Sequence, residues 1–239
     1  MDAKAHLIAV VLVPIALVLA LTSTVVSSPT APSQNATVEQ SSKMTFTVQQ
    51  DVYVDEGHPD TNQDGSSYVG VGRTDTGDEQ RALVEFDVSA LPDDVEVVSA
   101  TLELAQGRLS AQAIDAPRQT YRIWTDAVLG PWDETTVTWS TQPPAANKGD
   151  PPSDVEWTTG WHRWDVTNIV ETWVSSPAAN HGILLRGDGV TEGGRQFFAL
   201  PSDDAARLTV SYQRCEAVTR ADNFGPFTAT TSSAVDLTA

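Results

Sequence analysis

The chain has 239 residues, with 32 acidic against 14 basic side chains and a formal net charge of −18. A surface so charged repels nucleic acid and anionic membranes, so neither is expected as a partner. The single cysteine, Cys215, excludes an internal disulfide and a cysteine-built metal site.

Only Lys4, Lys43 and Lys148 supply lysine. Such an acid excess is the composition of proteins that stay soluble in concentrated salt, where self-repulsion is screened. A halophilic source is the expectation, with an ordinary acidic secreted protein as the alternative.

The chain reads as four segments. In residues 1–26, Lys4 precedes an apolar run from Leu7 to Leu21, with small polar residues following. This is the pattern of a secretory signal. Counting Val25 and Val26, the run approaches the roughly 20 residues that span a bilayer, so a retained N-terminal anchor stays open. That segment is the expected membrane contact, and either reading places the rest outside the cytoplasm, secreted or at the cell surface. Residues 27–43 are a Ser/Thr/Pro-rich linker, too polar for a core, with the sequon Asn35-Ala36-Thr37. Residues 44–213 are long enough for one core. Residues 214–239 read as a flexible tail.

Within 44–213, a period of two dominates. Strands are expected over Val52 to Val54 and Tyr68 to Val71. A third has Ala82, Val84, Phe86 and Val88 on one face, and a fourth has Val98, Ala100, Leu102 and Leu104 inward. Gln119 to Thr125, Thr136 to Trp139 and Trp157 to Trp164 follow. Gly182 to Arg186, Gln196 to Leu200 and a closing strand with Leu208, Val210 and Tyr212 inward complete the set. Turns stand at Asp64-Gly65, Leu91-Pro92, Gln142-Pro143 and Gly187-Asp188-Gly189. Many short strands with one polar face each predict an all-β antiparallel sandwich of jelly-roll type. One segment breaks the pattern: Val166, Ile169, Val170 and Trp173 stand at helical spacing after Asp165, a candidate N-cap. A short helix plugging one end of the sandwich is expected.

Trp132-Asp133-Glu134-Thr135-Thr136-Val137-Thr138-Trp139, with Gln142-Pro143 after it, resembles the W-x-E-x-T-V-T-W…P signature of the DNRLRE-domain family, also classed as carbohydrate-binding module family 96. Asp165 to Trp173 and Asn180-His181-Gly182-Ile183-Leu184-Leu185 are similar to that family's D-V-T-x-x-V-x-x-W…N-x-G-I-x-L stretch. Asp51-Val52-Tyr53-Val54, Asn62 with Gly65, Val71-Gly72, Phe86-Asp87-Val88, Ser99 to Leu104 and Arg207 to Tyr212 keep the register. The resemblance covers the whole core. It implies a β-sandwich accessory module of extracellular, polysaccharide-associated proteins. Two departures fall near the last strand: Ser202-Asp203-Asp204 stands where the family often has Ser-x-Glu, and Ala206 where it often has proline.

Seven tryptophans fall between Trp124 and Trp173. Trp132, Trp139, Trp164 and Trp173 belong to the motifs and are expected in the core. Alternation turns Trp124 and Arg122 outward, and likewise Trp161 and Arg163. Together with Trp157 they are candidates for stacking on sugar rings, because an indole face suits sugar C–H groups. An arginine beside such an aromatic presents a forked donor to an acidic sugar. The bland alternative is that loops cover these side chains.

Asp60-Thr61-Asn62-Gln63-Asp64-Gly65 reads as D-x-N-x-D-G, the first half of a calcium loop. Val71 stands where an EF-hand needs its glutamate, so an EF-hand is excluded. Asp60, Asn62, Asp64 and nearby Asp51 stay candidates for a different Ca2+ site, against a plain Asx-rich turn. Catalysis finds little support. Asp133 with Glu134 and Asp203 with Asp204 are adjacent, which places each pair on opposite faces of a strand, and no nucleophile elbow or phosphate loop occurs. Three functions remain: a non-catalytic polysaccharide-binding module, a structural or adhesive cell-surface domain, and a small polysaccharide hydrolase or lyase.

Overall fold

Alternating apolar residues let each strand bury one face, and two antiparallel sheets result. The computed structural model describes residues 41–108, 120–191 and 193–214. The apolar N-terminal segment, the sequon and Cys215 lie outside the described residues.

The strands are β1 (Ser42–Thr47), β2 (Gln50–Asp55), β3 (Tyr68–Arg73), β4 (Glu79–Glu85), β5 (Val95–Arg108), β6 (Tyr121–Val128), β7 (Ala145–Ala146), β8 (Ser153–Val155), β9 (Gly160–Asp165), β10 (Ile183–Arg186), β11 (Arg195–Phe198) and β12 (Arg207–Arg214). The first sheet runs β1-β12-β5, with β9 along the other side of β5 and with β11 and then β3 at its far end. The second runs β2-β4-β10-β6, with β7 and β8 on β6. Strand β3 also pairs with β4 and joins the two. The expected all-β sandwich is what forms.

The main core lies between the sheets. Ala82, Val84 and Phe86, then Ala100, Leu102 and Leu104, then Leu208 and Val210 are buried there, around Trp164, Trp173 and Phe197. Each large apolar side chain so buried stabilises by ~1.5–3 kcal/mol. A second, smaller core covers the outer face of the second sheet. There Val52, Val54, Leu83, Val128 and Leu184 meet Val137, Trp132 and Trp139 from the loop over residues 129–144.

Three expectations need correction. Val98 is 51% exposed, whereas Val97 is buried. Ser99 pairs with Ser211 but Val97 with Tyr212, so a bulge leaves Val98 as the extra residue and reverses the alternation before it. Thr136 to Trp139 is a run of turns: the Asp133 carbonyl accepts the amides of Thr136 and Val137 at 3.1 and 2.9 Å. Trp157 to Trp164 is broken, with β8 ending at Val155 and β9 starting at Gly160, whose φ of 125° suits glycine.

The helix α1 (Thr167–Ser175) buries Ile169, Val170 and Trp173 as its spacing predicts. Its N-cap is Val166, and Asp165, one residue earlier, accepts the Thr167 amide at 3.0 Å. The next two amides go to Asp150, a buried residue of the loop before β8. Asn180 ties its segment down by donating to the Phe86 carbonyl at 2.9 Å. Gly182 then passes so close to β4 that an added Cβ would lie 2.4 Å from the Val84 carbonyl oxygen.

Candidate functional site

The outer face of the second sheet is only half covered. Loop 129–144 packs on Val52, Val54, Leu83 and Val128, while the β6–β10–β4 side stays open. Alternation dictates what stands there. Ile123 and Ala127 point into the main core, so Arg122, Trp124 and Asp126 point out. Ile183 and Leu185 point in, so Leu184 and Arg186 point out. Ala82 and Val84 point in, so Glu79 and Arg81 point out. Antiparallel pairing sets Arg186 opposite Trp124 and Leu184 opposite Asp126.

These residues floor a basin of about 650 Å³, walled by Gln142-Pro143-Pro144 on one side and Gly187-Asp188-Gly189 on the other. Two guanidinium–indole pairs flank it. Arg81 lies 4.4 Å from the Trp139 ring centre, and Arg186 lies 5.6 Å from that of Trp124. Carboxylates hold both arginines. Glu79 Oε1 and Oε2 accept from Arg81 Nε and Nη2, each at 3.0 Å. Asp126 Oδ2 accepts from Arg186 Nε at 2.6 Å, on a side chain only 7% exposed. Asp126 Oδ1 is buried without a hydrogen-bond partner. Asp188 shapes the wall by accepting the amides of Val190 and Thr191. Such a surface offers flat apolar plates beside paired donors and acceptors, the recognition chemistry of polyhydroxylated rings.

The five candidate ligand-binding residues do not share one surface. Trp124 and Arg122 belong to this face, Arg122 being exposed and paired with Asp154 through contacts of 2.7 and 3.1 Å. Trp161 and Arg163 face outward from the first sheet. There Arg207 stacks 4.3 Å from the Trp161 ring centre and Arg163 donates to Glu103 at 2.7 Å. Trp157 sits in the β8–β9 turn as a cover for Arg195, 4.6 Å from its ring centre. Burial lowers the Arg195 pKa to about 10. Arg81, Arg186, Glu79, Asp126 and Gln142 went unnoticed in the sequence. The outward alternation of Arg81 and Arg186 was visible, but their neighbours across the sheet depend on strand pairing.

The calcium candidates also separate. The Asn62 amide donates to the carbonyls of Glu134 and Val137 at 2.8 and 2.7 Å, and its Oδ1 accepts the Asp64 amide. Asn62 therefore acts as a peg between two loops. Asp60 is exposed. Asp51 and Asp64 open with Glu134, Tyr53, Gln63 and Tyr68 onto a separate pocket of about 230 Å³. Both Asp51 oxygens face the Leu200 amide, at 3.2 and 3.0 Å, and the Asp51 amide donates to Glu134 Oε2. Burial raises the Asp51 pKa to about 6; the Leu200 amide opposes this, and Glu134 and Asp64 add to it. Among the described residues no group of three or more His, Cys, Asp or Glu side chains is placed to hold a metal ion. With Asn62 committed to backbone, the four side chains do not form a calcium cage.

No curated protein sequence matches the chain. The model of carbohydrate-binding module family 96 matches residues 42–211, from the start of β1 into β12. The match spans both sheets, the helix and the loops that shape the basin, and the chain belongs to carbohydrate-binding module family 96.

Proposed function

We propose that the chain is an extracellular, non-catalytic module that holds a polysaccharide in the basin on the outer face of its second sheet. The observation that carries this reading is the pair of guanidinium–indole platforms, Arg81 with Trp139 and Arg186 with Trp124, on either side of an open polar floor. An extended glycan laid across it meets aromatic faces at both ends and hydrogen-bonding groups between. Export rests on the apolar N-terminal run, whether cleaved or kept as an anchor.

Two features support a non-catalytic role. The basin carboxylates Glu79 and Asp126 are held by guanidiniums, whereas a glycosidase acid needs a carboxyl kept protonated near neutral pH. Asp51 has a raised pKa, but it and Glu134 serve as acceptors for the amides of Leu200 and Asp51.

The test is retention of the full chain on a panel of immobilised polysaccharides. Trp124→Ala, Arg81→Ala and Arg186→Ala should each weaken binding roughly 10- to 100-fold, the range of a central interface anchor. Trp161→Ala, on the other sheet, should leave it unchanged. A folded chain that binds no glycan would favour a structural or adhesive role. Binding sensitive only to Trp161→Ala would move the site to the first sheet.

A further inference from the structure

The charges in the basin indicate which glycans it admits. Three carboxylates, Glu79, Asp126 and Asp188, face two guanidiniums, Arg81 and Arg186. Neither arginine has its full fork free. Arg81 gives Nε and Nη2 to Glu79 and lies 3.4 Å by Nη1 from Gln142 Oε1. Arg186 gives Nε to Asp126 and lies 3.4 Å by Nη1 from the Gly187 carbonyl.

We infer that the basin selects uncharged, hydroxyl-rich polysaccharides and rejects polyuronates and sulfated chains; this rests on reading the basin as the glycan surface. A ligand carboxylate seeking either guanidinium must displace Glu79 or Asp126. Displacing Asp126 strands a buried charge, among the costliest changes a binding site undergoes. A hydroxyl group meets no such conflict, since it accepts from a remaining guanidinium N–H and donates to a carboxylate at once.

Asp126 Oδ1 makes the preference directional. It is an acceptor without a partner, on a side chain more than nine-tenths buried in the basin floor. A hydroxyl, directly or through one water, supplies the missing donor once the Arg186 side chain makes room, and a carboxylate cannot. The other outward tryptophans repeat the theme, since Arg122 is paired with Asp154 and Arg163 with Glu103. Beyond contact range, the formal charge of −18 repels polyanions, though salt screens that part. The local pairing is not screened in the same way, so discrimination persists at high salt.

The experiment compares matched backbones that differ in the carboxyl group: galactan with polygalacturonate, and glucomannan with polymannuronate. Affinities for the full chain are measured by calorimetry at low and at molar salt. At least one neutral member is expected to bind roughly tenfold or more tighter than its uronate counterpart at both salt levels. Asp126→Asn and Glu79→Gln should each narrow that ratio by weakening the neutral ligand or admitting the uronate; two sites guard against one variant misfolding. If a polyuronate binds as tightly as its neutral partner and Trp124→Ala abolishes that binding, the selectivity is wrong and the basin stands. Binding indifferent to Trp124→Ala and Arg186→Ala, or no binding to any of the four, overturns the basin and the selectivity together.

Discussion

Asp150 and Ile169 lie 19 residues apart, yet Asp150 Oδ2 accepts the Ile169 amide at 3.2 Å while its Oδ1 accepts that of Asn168 at 2.9 Å. A carboxylate from a distant loop thus meets the free first-turn donors of α1, the role an N-cap side chain ordinarily plays from within the helix. Asp165 meets only the Thr167 amide and hydroxyl. Burial raises the Asp150 pKa, and the two helix amides work against that rise.

Asp150→Ala is therefore expected to destabilise the protein by about 1–2 kcal/mol, and Asp165→Ala by less. Urea midpoints at unchanged slope are the measurement. If Asp165→Ala proves the more damaging, the local residue is the true cap.

The bulge in β5 gives a second prediction. Val97 is buried and Val98 is not, although plain alternation through Ala100, Leu102 and Leu104 selects Val98. Val97→Ala should cost roughly 1–3 kcal/mol through lost burial and a residual cavity, while Val98→Ala should stay within about 0.5 kcal/mol. Equal losses would mean the strand runs without its bulge in solution.

That bulge shows where sequence reading stops. Ala82, Val84 and Phe86, or Ile169, Val170 and Trp173, announce their faces because one periodicity governs the whole element. The family motifs were likewise legible, and the structure supplies their reasons: Asn180 bonds the Phe86 carbonyl, Gly182 clears Val84, and Asn62 pegs Glu134 to Val137. An inserted residue at Val98 is invisible because its cause lies in the partner strand β12. Thr136 to Trp139 misled for a related reason. Its alternation is real, but Asp133 captures the amides that a strand would offer to a neighbour.

The candidate site was half legible on the same grounds. Alternation alone turns Trp124 outward. That Arg186 stands opposite it, with Asp126 as counter-ion, follows from the register of β6 with β10, which no local signal sets. Trp124 and Trp161 look equivalent in sequence because both alternate outward. Their separation onto two sheets is decided by β6 pairing with β10 and β9 with β5.

The last prediction concerns pH. Asp51 in the folded chain holds its proton up to a pH of about 6, against an ordinary 3.8, because it is buried and lies near Glu134 and Asp64. The folded state thus binds this proton more tightly than the unfolded chain does. The contribution to stability is complete below pH 3.8 and is lost as pH rises through about 6. The shift corresponds to at most roughly 3 kcal/mol. Asp51→Asn removes the titration and keeps an oxygen to accept the Leu200 amide. Carboxylates held below their ordinary range, such as Asp133 and Asp154, lose their stabilising effect in acid, but they do so equally in both proteins. The difference between Asp51→Asn and the parent should therefore move in favour of the asparagine by about 1–3 kcal/mol between roughly pH 4 and pH 7. Urea unfolding of both across that range measures it, and a difference that stays flat means Asp51 is charged at both ends and the carboxylates of its pocket do not press on one another.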